Sequence, residues 1–270
     1  RIDYTILEQH AEAYRKIRNT FRYLLGNLND NFFESSFDKV NPVKLPELEQ
    51  YMLHKIFELN ESFMRNFKSY NFHSLYKELL NFCTVDLSSF YFDIRKDSLY
   101  CDKKDSQKRK DCILVLNVIL DCLLKWFAPI LSFTTEEVYK LVNKNSDESI
   151  HLRNFPKIKI NWSNSQIKEN WQKIIKIREK VNHSIEKKRE EKLIGSSLEA
   201  SIKIYLGLKN YGLAKNYDFS EICITSNAEI ILDEKLKDDI NVETFKAKGN
   251  KCSVCWKISP KICERHGNLN

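Results

Sequence analysis

Three cysteines and a histidine close the chain in the order Cys252, Cys255, Cys263 and His266. Two residues separate the members of each pair, and residues 256–262 lie between the pairs. Ligands two residues apart at a tight turn can aim both donors at one ion, and thiolates with a neutral imidazole suit tetrahedral zinc. Lys251, Lys257 and Lys261 stand nearby to offset the charge of three thiolates. A redox Cys-x-x-Cys motif belongs in a βαβ setting, which is absent, and here a second pair follows. One structural zinc ion is therefore the expected occupant, with a redox motif and a chance cluster as the alternatives.

A second pattern lies near the start. Arg15, Arg18, Asn19 and Arg22 recur at spacings of three and four, beside an apolar stripe of Tyr14, Ile17, Phe21 and Leu24. Such a stripe is either a solvated basic face or a surface that meets RNA. Lys168, Lys173, Lys176, Lys180 and Lys187 pose the same choice further along, where a solvated face is the simpler reading for most. His10, His54, His73, His151 and His183 lack comparable partners and read as surface or packing residues. Glu136 with Glu137, and Glu190 with Glu191, read as capping and solvated charge. There is no nucleophile elbow, HExxH, Walker loop or GxGxxG, so no catalytic residue is assigned.

The elements that must position these groups follow from hydrophobic period. A helix runs from Tyr4 to Leu25 with Gly26 as its stop, and a second follows Pro46 to about Lys68 with Met52, Ile56, Leu59 and Phe63 on one face. A third runs from His73 to Tyr100, bent around Thr84 to Ser89. Cys112 to Phe127 is nearly all apolar, with Asn117, Asp121 and Lys125 on one stripe; it is too short to span a bilayer and reads as the central helix of a bundle. Thr134 and Glu137 have the form of a capping box opening another helix. After a polar connector, Gln166 to Lys192 forms a long charged helix with nine Lys or Arg against five Glu. Beyond Gly195 the period becomes two: Ile202, Ile204 and Leu206 alternate with polar residues, and further strands are expected at Ile222 to Thr225 and Ile230 to Leu232. The reading is a helical body over 1–145, a connector and charged helix over 146–195, a small α+β unit over 196–248 and a metal knuckle over 249–270.

Composition agrees. The 270 residues carry a net charge of +7, 42% hydrophobic and 30% charged residues, which excludes a membrane protein or a disordered tail. Only six glycines and five prolines argue against β-sandwiches and glycine-rich phosphate loops. There are eight cysteines but no signal peptide, so Cys83, Cys101, Cys112 and Cys122, which fall in apolar helical pattern, read as reduced buried thiols of a cytoplasmic protein. Arg1 in place of an initiator Met reads as a fragment or processed chain.

Several stretches resemble the C-terminal portion of bacterial isoleucyl-tRNA synthetases, and the resemblance covers essentially the whole chain. Tyr14-Arg-Lys-Ile-Arg-Asn-Thr-Phe-Arg-Tyr-Leu-Leu25 is similar to the opening helix of the class Ia anticodon-binding domain, and residues 91–100 and 125–134 match two further stretches. Residues 181–200 resemble the helix and turn entering that family's junction region, and Cys252-Ser-Val-Cys-Trp256 its terminal zinc knuckle. The first three stretches are shared with valyl and other class Ia synthetases, whereas the knuckle points to the isoleucyl family. The family usually ends in a second Cys-x-x-Cys; this chain has Cys263 and His266.

The resemblance implies a mainly α fold, namely a class Ia anticodon-binding bundle, a small α+β junction domain and a C-terminal zinc knuckle. It implies a monomeric enzyme that activates isoleucine with ATP and Mg and transfers it to tRNA(Ile), through catalytic and editing domains upstream whose signatures this segment lacks. Its share would be to hold the anticodon stem-loop. Loop bases are read by stacking on aromatic or Arg planes and by polar contacts to base edges. Arg18, Arg22 and Trp256 are the candidates by resemblance and residue type, with Arg15 and Asn19 on the same helical face as the two arginines. A different class Ia synthetase such as a valyl enzyme, a non-catalytic RNA-binding module and a helical interaction scaffold are the alternatives.

Overall fold

The computed structural model describes residues 3–28, 37, 40–144 and 147–267; Arg1 lies outside them. They form two units, the first made of residues 1–99 and 103–164, the second of residues 100–102 and 165–270. Among the described residues no helix is long and apolar enough to cross a membrane.

The first unit is helical. It contains α1 (Tyr4–Leu28), α2 (Glu47–Lys68), α3 (Phe72–Asn81), α4 (Phe92–Cys101, whose last residues belong to the second unit), α5 (Gln107–Phe127) and α6 (Ser132–Val142). The expected bend between α3 and α4 is a π-helical segment, Phe82–Tyr91. Hydroxyls reinforce its wider turns: Ser88 Oγ donates to the Cys83 carbonyl at 2.8 Å and Ser89 Oγ to that of Thr84 at 2.9 Å, each five residues back. The segment turns Phe82, Cys83, Leu87, Phe90 and Tyr91 into the core.

At the centre stands α5, apolar on nearly every side and buried accordingly. Its polar stripe is buried at Asn117 and Asp121 and half-buried at Lys125. Asn117 donates to the Ile113 carbonyl at 3.0 Å, and Lys125 pairs with Asp121 at 2.8 Å. Burial raises the Asp121 pKa, against the pull of Lys125. Trp126 Nε1 donates to Asn60 Oδ1 of α2 at 3.2 Å.

A wholly buried ion pair crosses the same core. Glu49, in the first turn of α2, accepts from Arg95 of α4 through both carboxylate oxygens, at 2.6 Å from Nε and 2.5 Å from Nη2. The Tyr91 hydroxyl donates to the same carboxylate at 3.1 Å. The planar fork of arginine matches a carboxylate edge, which is why the pair tolerates exclusion from water.

Two expectations here are corrected. Gly26 does not stop α1, because Leu28 is fully buried and its burial carries the helix on past an exposed glycine. Thr134 and Glu137 form no capping box: α6 begins at Ser132, the buried Thr134 hydroxyl lies 2.9 Å from the Tyr14 hydroxyl, and Glu137 is taken by Arg18.

In the second unit, α7 (Ser165–Glu190) buries Ile167, Trp171, Ile174, Ile177, Val181 and Ile185. It packs on a three-stranded sheet of β1 (Ala200–Leu206), β2 (Asn227–Leu232) and β3 (Ile240–Lys246), ordered β2-β1-β3. β1 runs parallel to β2 and antiparallel to β3. Its alternation holds: Ala200, Ile202, Ile204 and Leu206 are buried. Helices α8 (Leu208–Ala214) and α9 (Phe219–Ile222) link β1 to β2, and a hairpin of β4 (Asn250–Lys251) and β5 (Ile258–Ser259) follows. The strand expected at Ile222 to Thr225 is instead the end of α9 and a turn. Asp218 Oδ1 accepts from the Ser220 and Glu221 amides and starts the helix, and Ile224 at φ 55° breaks any extension. β2 covers the strand expected at Ile230 to Leu232, while β3, in which Ile240, Val242 and Thr244 alternate with exposed Asn241 and Glu243, is not among the expected strands.

Removing one partner from a buried ion pair leaves an uncompensated charge, at a cost of about 3–5 kcal/mol. Arg95→Met should lose about that much in urea unfolding, and Arg95→Met with Glu49→Met should recover most of it. Equal stability of Arg95→Met and the parent would contradict the burial described.

Candidate functional site

The β4–β5 hairpin presents the first ligand turn. Gly249 has φ 120°, and a Cβ there would sit 2.2 Å from the Ser259 carbonyl carbon, so only glycine lets the hairpin close. Within the turn, the Cys252 amide donates to the Lys257 carbonyl at 2.9 Å and the Trp256 amide to the Cys252 carbonyl at 3.1 Å. A second turn carries Cys263 and His266, closed by the Gly267 amide on the Cys263 carbonyl at 2.8 Å. The Ile258 amide donates to Ser226 Oγ at 2.6 Å, seating the hairpin on the rest of its unit.

The two turns bring all four sequence-derived ligands together. Their donor atoms lie within 4.8 Å of one another. Cys255 Sγ is 3.8 Å from Cys263 Sγ, and His266 Nδ1 is 3.5 Å from Cys252 Sγ and 3.4 Å from Cys263 Sγ. Zinc at its usual bond lengths and tetrahedral angles requires about 3.8 Å between thiolates and about 3.6 Å between thiolate and imidazole nitrogen. The residues fit a four-coordinate ion.

The imidazole is oriented from behind. Its Nε2 lies 2.9 Å from the Cys101 carbonyl oxygen, which can only accept, so Nε2 carries the proton and Nδ1 turns its lone pair toward the sulfurs. This carbonyl was invisible in sequence, where Cys101 reads as one more core thiol. It is half-buried at the end of α4, with its thiol donating to the Val254 carbonyl at 3.7 Å.

Backbone amides prepare the thiolates. The N–H groups of Cys255 and Val254 bring Cys252 down to about 6, despite some desolvation. Cys263 is lowered by the Arg265 and His266 amides, which outweigh its burial, whereas burial holds Cys255 up at about 11. His266 is raised, first by the Cys101 carbonyl. A cation at the centre would complete deprotonation of all three thiols.

Trp256 adjoins the cluster and is 58% exposed, too open for a core residue. It adopts φ 62°, a conformation strained for a bulky side chain, and Lys251 Nζ lies 5.2 Å from its ring centroid. The result is an indole face held out to solvent beside a positive charge.

The other candidates lie on α1, in the first unit. Arg15 pairs with Glu12 at 2.7 Å, and Arg18 makes a forked pair with Glu137 at 2.9 and 3.1 Å. Both pairs are exposed, where such contacts contribute little and exchange readily for other anions. Asn19 and Arg22 are exposed, with no side-chain partner among the described residues.

Residues 49–204 match the family described as the anticodon-binding domain of tRNA ligase. The chain is also similar to isoleucine--tRNA ligases: 59% identical over 268 residues to that of Pelagibacter ubique, covering 99% of this chain and 29% of that protein. For the Agrobacterium fabrum protein the figures are 39% over 272 residues, 97% and 28%; for that of Caldicellulosiruptor saccharolyticus they are 40% over 276 residues, 100% and 30%. The chain thus spans under a third of the length of these relatives.

Gly249→Ala should prop the hairpin open and weaken metal binding by about 10- to 100-fold, the range for losing support behind the ligands. Competition with a chromophoric chelator measures this; unchanged affinity would show that the hairpin does not set the ligand turn.

Proposed function

The chain belongs to the family of anticodon-binding domains of tRNA ligases, and from that premise we propose that it is the anticodon stem-loop-holding part of an isoleucine--tRNA ligase. The family match over residues 49–204 carries this reading. The full protein activates isoleucine with ATP and Mg and attaches it to tRNA(Ile) in the cytoplasm, through domains beyond this segment. The segment contributes affinity and identity.

Cys252, Cys255, Cys263 and His266 hold one zinc ion, whose chemistry is structural: a closed set of four protein ligands leaves no open position for a substrate. The ion fixes the turn that exposes Trp256, and the indole stacks on an unpaired loop base. On α1, Arg22 and Asn19 offer donors at once, while Arg15 and Arg18 exchange their surface carboxylates for RNA phosphates or base edges.

Trp256→Ala should weaken anticodon stem-loop binding by about 1–3 kcal/mol, or about 5- to 150-fold. In the full ligase, Cys252→Ser or zinc removal should slow tRNA charging while leaving ATP-dependent isoleucine activation largely intact. Equal loss of both activities would overturn the division of labour. Undiminished stem-loop binding by Trp256→Ala would remove the stacking role.

A further inference from the structure

The exposed face of α7 is divided lengthwise by charge. Lys173, Lys176, Lys180 and Lys187, spaced by three, four and seven residues, form one flank with Glu169 at its beginning. Glu179, Glu186 and Glu190 occupy the other, with His183 between the two. All four lysines are exposed, and none has an ion-pair partner among the described residues. The acidic flank has taken a different cation: Glu186 pairs with Arg189 at 3.0 Å. Glu191, just beyond the helix, is taken by Lys188 at 2.8 Å. Arg178 is turned away, donating to the Ile222 carbonyl at 2.9 Å.

We propose that this lysine flank is a rail for the phosphate backbone of an RNA duplex. From Lys173 to Lys187 it extends about 21 Å along the helix, longer than one ion or small ligand requires. No large apolar side chain is exposed anywhere on α7, so the aromatic or aliphatic anchors of a protein interface are missing. A row of ammonium groups without apolar neighbours fits a polyanion bound by charge and counterion release, independent of its base sequence. Flexible point charges such as lysines suit a backbone whose base edges are not read.

The inference rests on the tRNA reading above and adds a distinct role. Trp256 would discriminate among loops, whereas the flank would bind any stem alike. The test is stem-loop affinity of the full chain at several salt concentrations, for the parent, for Trp256→Ala and for a variant with Lys173, Lys176, Lys180 and Lys187 all changed to Gln. Removing one ammonium–phosphate pairing should lower the log–log salt slope by about 0.7–0.9, so the slope for the fourfold variant should fall by about 3. Affinity should drop equally for cognate and altered anticodon loops, with discrimination between them preserved. Circular dichroism should confirm an unchanged helix, as the substitutions are at solvated positions. An unchanged slope in the fourfold variant, with Trp256→Ala still weakened, would overturn the rail and leave the tRNA reading standing. Absence of salt-dependent binding by the parent chain would overturn both.

Discussion

A carboxylate and a guanidinium taken wholly out of water set the arrangement of the helical unit. The Glu49–Arg95 pair requires the start of α2 and the body of α4 to face one another in one relation only, since both N–H···O bonds of the fork must form together. Tyr91 completes the carboxylate's partners from the end of the π-helical segment. That segment carries a lower helical twist than an α-helix, so it determines which way Tyr91 and Arg95 point. A buried pair of this kind gives little net stability compared with well-packed apolar residues. What it excludes is every alternative packing that strands one charge.

The tail of the second unit meets a different constraint. Two-residue strands and two ligand turns enclose almost no apolar volume; among the described residues of the knuckle only Cys255 is buried. A segment that cannot build a core needs another crosslink, and the cluster of Cys252, Cys255, Cys263 and His266 could supply one by holding a metal ion. The Cys101 carbonyl and Ser226 hydroxyl are the points where that crosslink joins the rest of the unit.

How much of this is legible in the sequence depends on the range of the interaction. The helices α1, α2, α5 and α7, strand β1 and the four ligands are written in local periodicity and spacing and can be read from them. The π segment registers only as a disturbance near Thr84 to Ser89, because its hydroxyl bonds to carbonyls five residues back have no period of their own. Thr134 and Glu137 mislead because their tertiary partners, Tyr14 and Arg18, outcompete the local capping pattern. Strand β3 escapes because its inward residues Ile240, Val242 and Thr244 make only a brief alternation that ends on a polar residue and is followed by the exposed Phe245. Glu49 has the composition of an exposed first turn; Arg95, 46 residues further on, makes it a core residue.

The cysteines divide by solvation as sharply as the lysines and glutamates of α7 divide by helical position. Cys83, Cys112 and Cys223 are buried with their thiols pushed up to about 12, and burial raises Cys122 well above its ordinary value as well. A thiol so reluctant to ionise is a poor nucleophile toward alkylating reagents at neutral pH. By the same argument, thiol chemistry in the folded chain concentrates on Cys252 and Cys263, whose thiols are lowered, and not on Cys255, which is buried and held up at about 11. The interior is chemically mute, and an electrophile applied to the intact protein samples the state of its terminal knuckle.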